Sequence, residues 1–273
     1  MTQESFYLLP KRDSPARWRD RLVDELGLIA DPVETYRLIF SDSFDWLLYH
    51  AGRRLEWQEH PDYSLMRLVS LKDGTIEAEL ELEAVGTRFA SDLPASELRR
   101  IIEPLLDIRA FLPLAILKIR SHCLRLEDDE GKTLARLYVE TISRLTEASG
   151  TRLLQKCLRL QPLRGYEKSA HAIARKLEKQ YSLQACRDSL WEKAIASTGR
   201  QPGDYSSKLN IQLEPEMRAD AAVRRVMLDL FHAMQVNEQG TIEDLDSEFL
   251  HDFRVAVRRT RSALTELKWV FPP

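Results

Sequence analysis

The sequence predicts an α+β fold in which a strand-rich stretch precedes a helical one, and three observations predict it. Short segments with period-two alternation, bounded by turn residues, dominate residues 1 to about 160. After Pro162-Leu163-Arg164-Gly165 the apolar residues recur at helical spacing instead. A breaker cluster from Gly199 to Ser207 then gives way to two amphipathic helical patterns and nothing else.

Each element follows from local pattern. Helical patches at Ser14 to Leu26 and Ala95 to Leu106 interrupt the strands, with Pro94-Ala95-Ser96-Glu97 as the start of the second. Ile76 to Glu83 alternates without a fault, so four carboxylates share one face of that strand and four apolar groups the other. Leu117 to His122 puts Lys118, Arg120 and His122 on one face, Glu127 to Lys132 supplies a turn, and Leu134 to Val139 returns, which makes a hairpin. Ala170, Ile173, Ala174, Leu177 and Tyr181 mark a helix, and a second helical stretch surrounds Leu190 to Ile195. Glu214 to Gln235 repeats apolar groups at Val223, Val226, Met227, Leu230, Phe231 and Met234. A loop from Asn237 to Asp246 follows, and a last helix from about Ser247 to Trp269. The breaker cluster places a domain boundary, giving a first domain over 1–200, a linker over 201–214 and a helical segment over 215–273.

Composition narrows the function classes. Hydrophobic residues at 44% and charged residues at 30% describe a folded globular chain. A net charge of −3 gives no support to bulk nucleic-acid adhesion, so a polyanion site has to come from locally concentrated cations. Cys123, Cys157 and Cys186 are far apart and form no C-x-x-C pair, which fits a reducing cytoplasm better than a disulfide framework or a zinc knuckle. The N-terminus lacks a signal-peptide build, and the longest apolar run, Phe111 to Leu117, is too short to span a bilayer. A soluble cytoplasmic protein without a membrane partner is expected.

The last helix carries the sharpest signal. At about 100° per residue, His251, Arg254, Arg258 and Arg261 fall within an arc of roughly 80°, beside an apolar arc of Leu250, Phe253, Val257 and Leu264. Cations side by side repel, and guanidinium forks match phosphate oxygens, so a phosphate polymer would relieve the repulsion. A solvated face paired with Asp252, Glu248 and other carboxylates is the alternative. The run Glu248-Phe249-Leu250-His251-Asp252-Phe253-Arg254-Val255-Ala256-Val257-Arg258-Arg259-Thr260-Arg261-Ser262-Ala263-Leu264 closely resembles the signature helix of the CHAD family. Members are helical bundles whose basic surfaces are associated with inorganic polyphosphate, and the resemblance assigns phosphate contact to His251, Arg254, Arg258 and Arg261. Arg259 lies off the stripe. The likeness runs from Pro215 to the C-terminus, the opening two helices of a longer bundle, so either further chain or a partner is expected to complete the bundle, and further chain is the favoured expectation.

Phe40-Ser41-Asp42-Ser43-Phe44-Asp45-Trp46-Leu47-Leu48-Tyr49-His50-Ala51-Gly52-Arg53-Arg54-Leu55 resembles the strand-and-turn signature of CYTH domains, and Leu117 to Glu140 and Leu160 to Tyr166 are similar to other parts of that family. The resemblance implies an antiparallel β tunnel or barrel with flanking helices. Its inward positions alternate cations for phosphates with carboxylates for magnesium or manganese. Lys118, Arg120 and Arg67 would contact phosphate, Arg67 being what remains of an Arg-x-Arg pair. Glu79 and Glu81 would stand on the metal side, unless that acidic face is a solvated outer wall. The family's opening E-x-E-x-K motif is not intact, because the first strand offers only Glu4-Ser5-Phe6-Tyr7-Leu8-Leu9-Pro10-Lys11. Loss of an acid weakens metal-assisted hydrolysis. The expectation is a protein that binds inorganic polyphosphate or triphosphate through a degenerate catalytic tunnel. The alternatives are a divalent-metal-dependent inorganic triphosphatase and a protein-interaction module. No P-loop, G-x-S-x-G or H-E-x-x-H string is present, and His50, His60, His171 and His232 stand alone. Asp128-Asp129-Glu130-Gly131 reads as a turn, and Trp46 and Trp57 as core.

Overall fold

The computed structural model describes residues 4–83, 87–146, 150–186, 189–206, 208, 211–267 and 270. The chain divides into two units, one of Met1–Ser41, Arg54–Val85 and Pro113–Gln201, the other of Asp42–Arg53, Gly86–Leu112 and Pro202–Pro273.

The first unit is built on a ten-stranded sheet. In chain order its elements are β1 (Ser5–Leu9), α1 (Pro15–Leu26), β2 (Ile29–Ala30), β3 (Glu34–Asp42), α2 (Leu47–His50), β4 (Arg53–Glu59), β5 (Ser64–Ser70) and β6 (Ile76–Leu82). Then follow α3 (Glu97–Leu106), β7 (Leu112–Glu127), β8 (Thr133–Thr146), β9 (Gly150–Pro162), α4 (Glu167–Gln180), β10 (Ala185–Cys186) and α5 (Leu190–Thr198); α2 and α3 pack in the second unit. The strand order is β10-β1-β9-β8-β7-β3-β4-β5-β6, with β2 paired to β7. The sheet is antiparallel in its recorded pairings, and among the described residues β6 and β10 are left as edges, so the expected tunnel wall is an open sheet.

Register decides which side chains share a face. Leu124 lies opposite Leu137, and Leu137 opposite Leu160; His122, Val139 and Leu158 form the next row. These rows pack against Leu22 of α1 and Ile173 and Leu177 of α4, making the main core of the unit. Each fully buried aliphatic side chain there contributes roughly 1.5–3 kcal/mol relative to exposure. α1 begins with a proline in its first turn and ends at Gly27, whose φ of 65° is the left-handed conformation that closes a helix without a Cβ penalty. The opposite face of the same strands has no such helix cover in this core, and it holds the rows Cys123–Tyr138–Arg159 and Ser121–Glu140–Cys157.

The second unit gathers α2, α3 and two long helices, α6 (Ala219–Ile242) and α7 (Ser247–Glu266). Asp246 caps α7, its Oδ1 accepting from the backbone N–H of Glu248 at 3.0 Å and Phe249 at 3.3 Å. α6 runs past Asn237, where a loop is expected from sequence, because Asn237 and Gly240 are both buried in packing. At Gly240 a Cβ would meet three ring carbons of Phe249 at 2.3–2.5 Å, so the missing side chain is what admits the Phe249 ring. Ser96 caps α3 by accepting from Arg99 N–H, as the Pro94-Ala95-Ser96-Glu97 start predicts. Trp46 and Trp57 are buried, as expected. The last helix ends at Glu266, and Lys268 and Trp269, like Ser207, Leu209 and Asn210 of the breaker and linker region, lie outside the described residues. Among the described residues no helix is long and apolar enough to cross a membrane.

Candidate functional site

Two surfaces collect the groups that chemistry would use. On α7, His251, Arg254, Arg258 and Arg261 are all exposed, and they line one shallow groove along the helix with Glu248, Leu250 and Val257. Among the described residues none of the four makes an ion pair. The carboxylate that the sequence offers as a neutralising neighbour, Asp252, is turned the other way. Its Oδ2 accepts from Arg109 Nη2 at 3.3 Å and from the Tyr205 hydroxyl at 3.1 Å. Arg109 is itself buried and reaches two further aspartates, Asp45 at 3.1 Å and Asp246 at 3.6 Å. The Tyr205 hydroxyl also accepts from Asn237 Nδ2 at 2.7 Å, and burial pushes its pKa up to about 12. A buried polar hub therefore holds Asp252, and the stripe keeps its positive charge. Like charges at i,i+4 on a helix oppose folding by about 0.2–0.5 kcal/mol per pair, a cost that a bound anion reverses.

The second surface is the sheet face opposite α1 and α4. Arg159 lies at its centre, donating to Glu140 Oε1 from Nε at 3.1 Å and from Nη2 at 2.9 Å, and to Glu4 Oε1 from Nη1 at 3.1 Å. Its guanidinium carbon stands 3.9 Å from the centre of the Tyr138 ring, close enough for a cation–π contact. Burial pulls the guanidinium pKa down, but Glu140 and Glu4 outweigh it and hold the group well above its ordinary value. Tyr36 of β3 lies in the field of the same carboxylates, and burial raises its hydroxyl pKa strongly. Arg136 and Arg144 fall on this face by register, Arg136 beside Gln161 and Arg144 opposite Leu117 in the same alternation as Ser121. The Nε of Arg144 and the Oε1 of Gln155 are buried with no hydrogen-bond partner.

The expected tunnel residues are distributed differently. Lys118 and Arg120 are exposed, and by register they stand on the face that carries α1 and α4, opposite the Arg159 row. Arg67 makes an ion pair with Glu79 at 3.0 Å across β5 and β6, and Glu81 is exposed on β6, an edge strand. A magnesium or manganese ion would need carboxylates free to turn toward it. Glu4 and Glu140 are engaged by Arg159 and Glu79 by Arg67, and among the described residues no group of three His, Cys, Asp or Glu could hold a metal ion. The residues on this face do not fit the metal that the tunnel resemblance implies.

Sequence reasoning passed over Arg159, Glu140, Arg144 and the Arg109 hub. Arg159 and Gln161 alternate with Leu158 and Leu160 along β9, and that alternation is the signal for the face. Arg109 has no such signal, because its partners Asp45, Asp246 and Asp252 are distant in sequence. The Tyr36, His60 and Tyr63 rings also stack in series, with centroids 4.7 Å and 4.4 Å apart.

Residues 225–273 match the CHAD domain family. No curated protein is significantly similar to the chain. Among solved structures, the protein HpAC1 from Hippeastrum, described as having a dominant triphosphatase activity, aligns with a TM-score of 0.51 at 15% identity over 74% of this chain and 99% of that one. The PH1012 protein from Pyrococcus horikoshii OT3 aligns with a TM-score of 0.42 at 12% identity, over 72% of this chain and 98% of that one. The sheet thus has the CYTH-type fold, and a CHAD segment stands at the C-terminal end.

Proposed function

We propose that this chain, a CYTH-type sheet followed by a CHAD segment, binds inorganic polyphosphate or a related phosphate polyanion, with His251, Arg254, Arg258 and Arg261 as the principal contact. The observation that carries the reading is the arrangement on α7: Arg254, Arg258 and Arg261, with His251 beside them, are exposed and without an ion pair among the described residues, their neighbouring acid Asp252 being held by Arg109 and Tyr205. Three guanidinium forks along one flank suit a linear array of phosphate oxygens, each contact being charge-assisted and strongest at low salt. The sheet contributes less. Its central cation is neutralised by two carboxylates, and Arg136 and Arg144 are left for anion contact. A sheet face whose carboxylates bind an arginine rather than a metal ion supports binding without efficient turnover.

The test is retention of a polyphosphate of about one hundred units, followed by anisotropy or calorimetry across a salt series. Arg254→Ala/Arg258→Ala/Arg261→Ala should weaken binding by about tenfold or more and flatten the salt dependence. Unchanged affinity in that variant removes α7 from the reading.

A metal-dependent triphosphatase is the second reading, favoured by the fold likeness to HpAC1. Phosphate release from tripolyphosphate with magnesium or manganese decides between them: robust turnover overturns the non-catalytic reading.

A further inference from the structure

We propose a second polyanion-docking patch on the outer face of the sheet, centred on Lys118 and Arg120 and taking a linear phosphate polymer. This rests on the reading of the chain as a phosphate-polymer binder and adds a contact that the reading does not require. Arg120 lies opposite Thr141, and Thr141 opposite Lys156, so one row across three strands carries a cation, a hydroxyl and a cation. Lys118 lies opposite Ser143 and repeats the pairing of cation with hydroxyl in the next row. Side chains opposite one another stand roughly 5 Å apart at Cβ, and successive rows on one face roughly 7 Å apart. Lys118 and Arg120 are exposed, and among the described residues neither makes an ion pair.

The surroundings strengthen the positive field. Lys156 Nζ donates to the backbone carbonyls of Lys11 at 2.6 Å and Asp13 at 2.7 Å. That clamp holds the loop bearing exposed Lys11 and Arg12 against β9. Toward α1 the face closes over buried His122, whose pKa is lowered by burial and then by Arg19 and Arg120, while Asp20 acts in the other direction. Arg19 is paired with Asp20 at 2.5 Å, and Asp13 accepts from Trp18 Nε1. These two carboxylates stand against six cationic side chains, in a chain whose net charge is −3. The concentration is local, which is the pattern of an electrostatic docking surface.

The chemistry favours a bare phosphate polymer over a nucleic acid. Single-stranded nucleic acids are held by basic grooves interleaved with open aromatic rings. Here Trp18 and Tyr181, aromatic groups of the helix-covered face, are packed on each other and covered by Arg21, and the patch rows themselves offer charge and hydroxyls for recognition. A polymer long enough to contact both rows of the patch gains contacts that a short oligomer does not.

The experiment uses the full chain with tripolyphosphate, a polyphosphate of about one hundred units and a single-stranded RNA of matched phosphate content. Four proteins are compared: the parent, Lys118→Ala/Arg120→Ala, the α7 triple alanine variant, and the combination of all five changes. The patch variant should lose about fivefold to tenfold in affinity for the long polymer, reduce its salt slope by about 1 to 2, and leave tripolyphosphate binding nearly unchanged. Residual long-polymer binding in the α7 variant should disappear in the combination. A patch variant that melts and binds like the parent, with no residual binding in the α7 variant, overturns the patch. Loss of parental binding caused by the patch variant alone, with the α7 variant unaffected, supports the patch and overturns the α7 reading. RNA competing as strongly as polyphosphate overturns the assigned ligand class.

Discussion

Replacing Arg159 with methionine keeps most of the side-chain volume and removes the only cation hydrogen-bonded to Glu140 among the described residues. Glu140 is left 3% exposed and Arg159 is 18% exposed, so the carboxylate cannot recover its lost partner from water. Removing one member of a buried ion pair costs about 3–5 kcal/mol, and the partial exposure of Arg159 places the expected loss near 3 kcal/mol at neutral pH. The loss depends on pH with a definite sign. Without Arg159, burial lifts the Glu140 pKa above the ordinary carboxylate value of about 4.3. The folded state then holds a proton that the unfolded state has released, so stability returns as pH falls through the raised pKa. Urea denaturation at pH 7.5 and pH 5 measures both effects, and Arg159→Met/Glu140→Gln provides the cross-check. The double variant should be more stable than Arg159→Met at pH 7.5 and close to it at pH 5, because the glutamine carries no buried charge. A loss from Arg159→Met that is equal at the two pH values, or a double variant no better than the single one at pH 7.5, would falsify the account of this cluster as a buried, mutually neutralising pair.

Two further outcomes follow from packing and titration. Gly240→Ala sets a helix-propensity gain of about 1 kcal/mol against overpacking of about 1–3 kcal/mol, because the new Cβ would stand 2.3–2.5 Å from three Phe249 ring carbons. The clash wins, the melting temperature should fall, and a rise would show that the Phe249 ring has room to move. Asp42 accepts three backbone N–H groups, from Ser43, Leu48 and Tyr49, yet burial still lifts its carboxyl to about 6. A raised acid stabilises the fold below its unfolded pKa of about 3.9, and this contribution, on the order of 3 kcal/mol, is lost as pH rises through about 6. Asp42→Asn should remove that segment of the stability profile between pH 4 and 6.5, and an unaltered slope contradicts the assignment.

Much of the fold is legible in the sequence where one local rule acts alone. The flawless alternation of Ile76 to Glu83 became β6, the Asp128 to Lys132 turn joined β7 to β8, and Ser96 capped α3. Asn237 and Gly240 show where local rules fail. Both are loop-favouring residues, yet Asn237 is tied to Tyr205 and Gly240 makes room for Phe249, so packing carries α6 through them. The segments 42–53 and 86–112 gather with the C-terminal helices for a similar reason. Arg109, Asp45, Asp246 and Asp252 meet only in three dimensions, and Phe44 packs at 4.7 Å from Phe249.

The two candidate surfaces differ in legibility because helices and strands encode burial differently. On α7 the phase is fixed by the buried residues Phe249 and Ala256, which leaves the cationic arc outward as spacing predicts, although Leu250 and Leu264 of the expected packing arc are exposed as well. On β7 the alternation separates Lys118 and Arg120 from Leu117 and Ile119 but does not say which set faces the ligand-binding side. A sheet covered by helices on one face and carrying polar rows on the other reverses the usual inference, because Lys118 and Arg120 stay exposed on the helix-covered face while Glu140 is buried and Arg159 partly buried on the opposite one. Register resolves the ambiguity: Lys118 and Arg120 share a face with Val139 and Leu158, which are core, whereas Ser121 shares one with Glu140. A single strand is therefore insufficient to assign a tunnel ligand. The informative pattern is the coincidence, across neighbouring strands, of polar positions that pair with one another, as Glu140 and Arg159 do here in the rows flanking Cys157 and Tyr138.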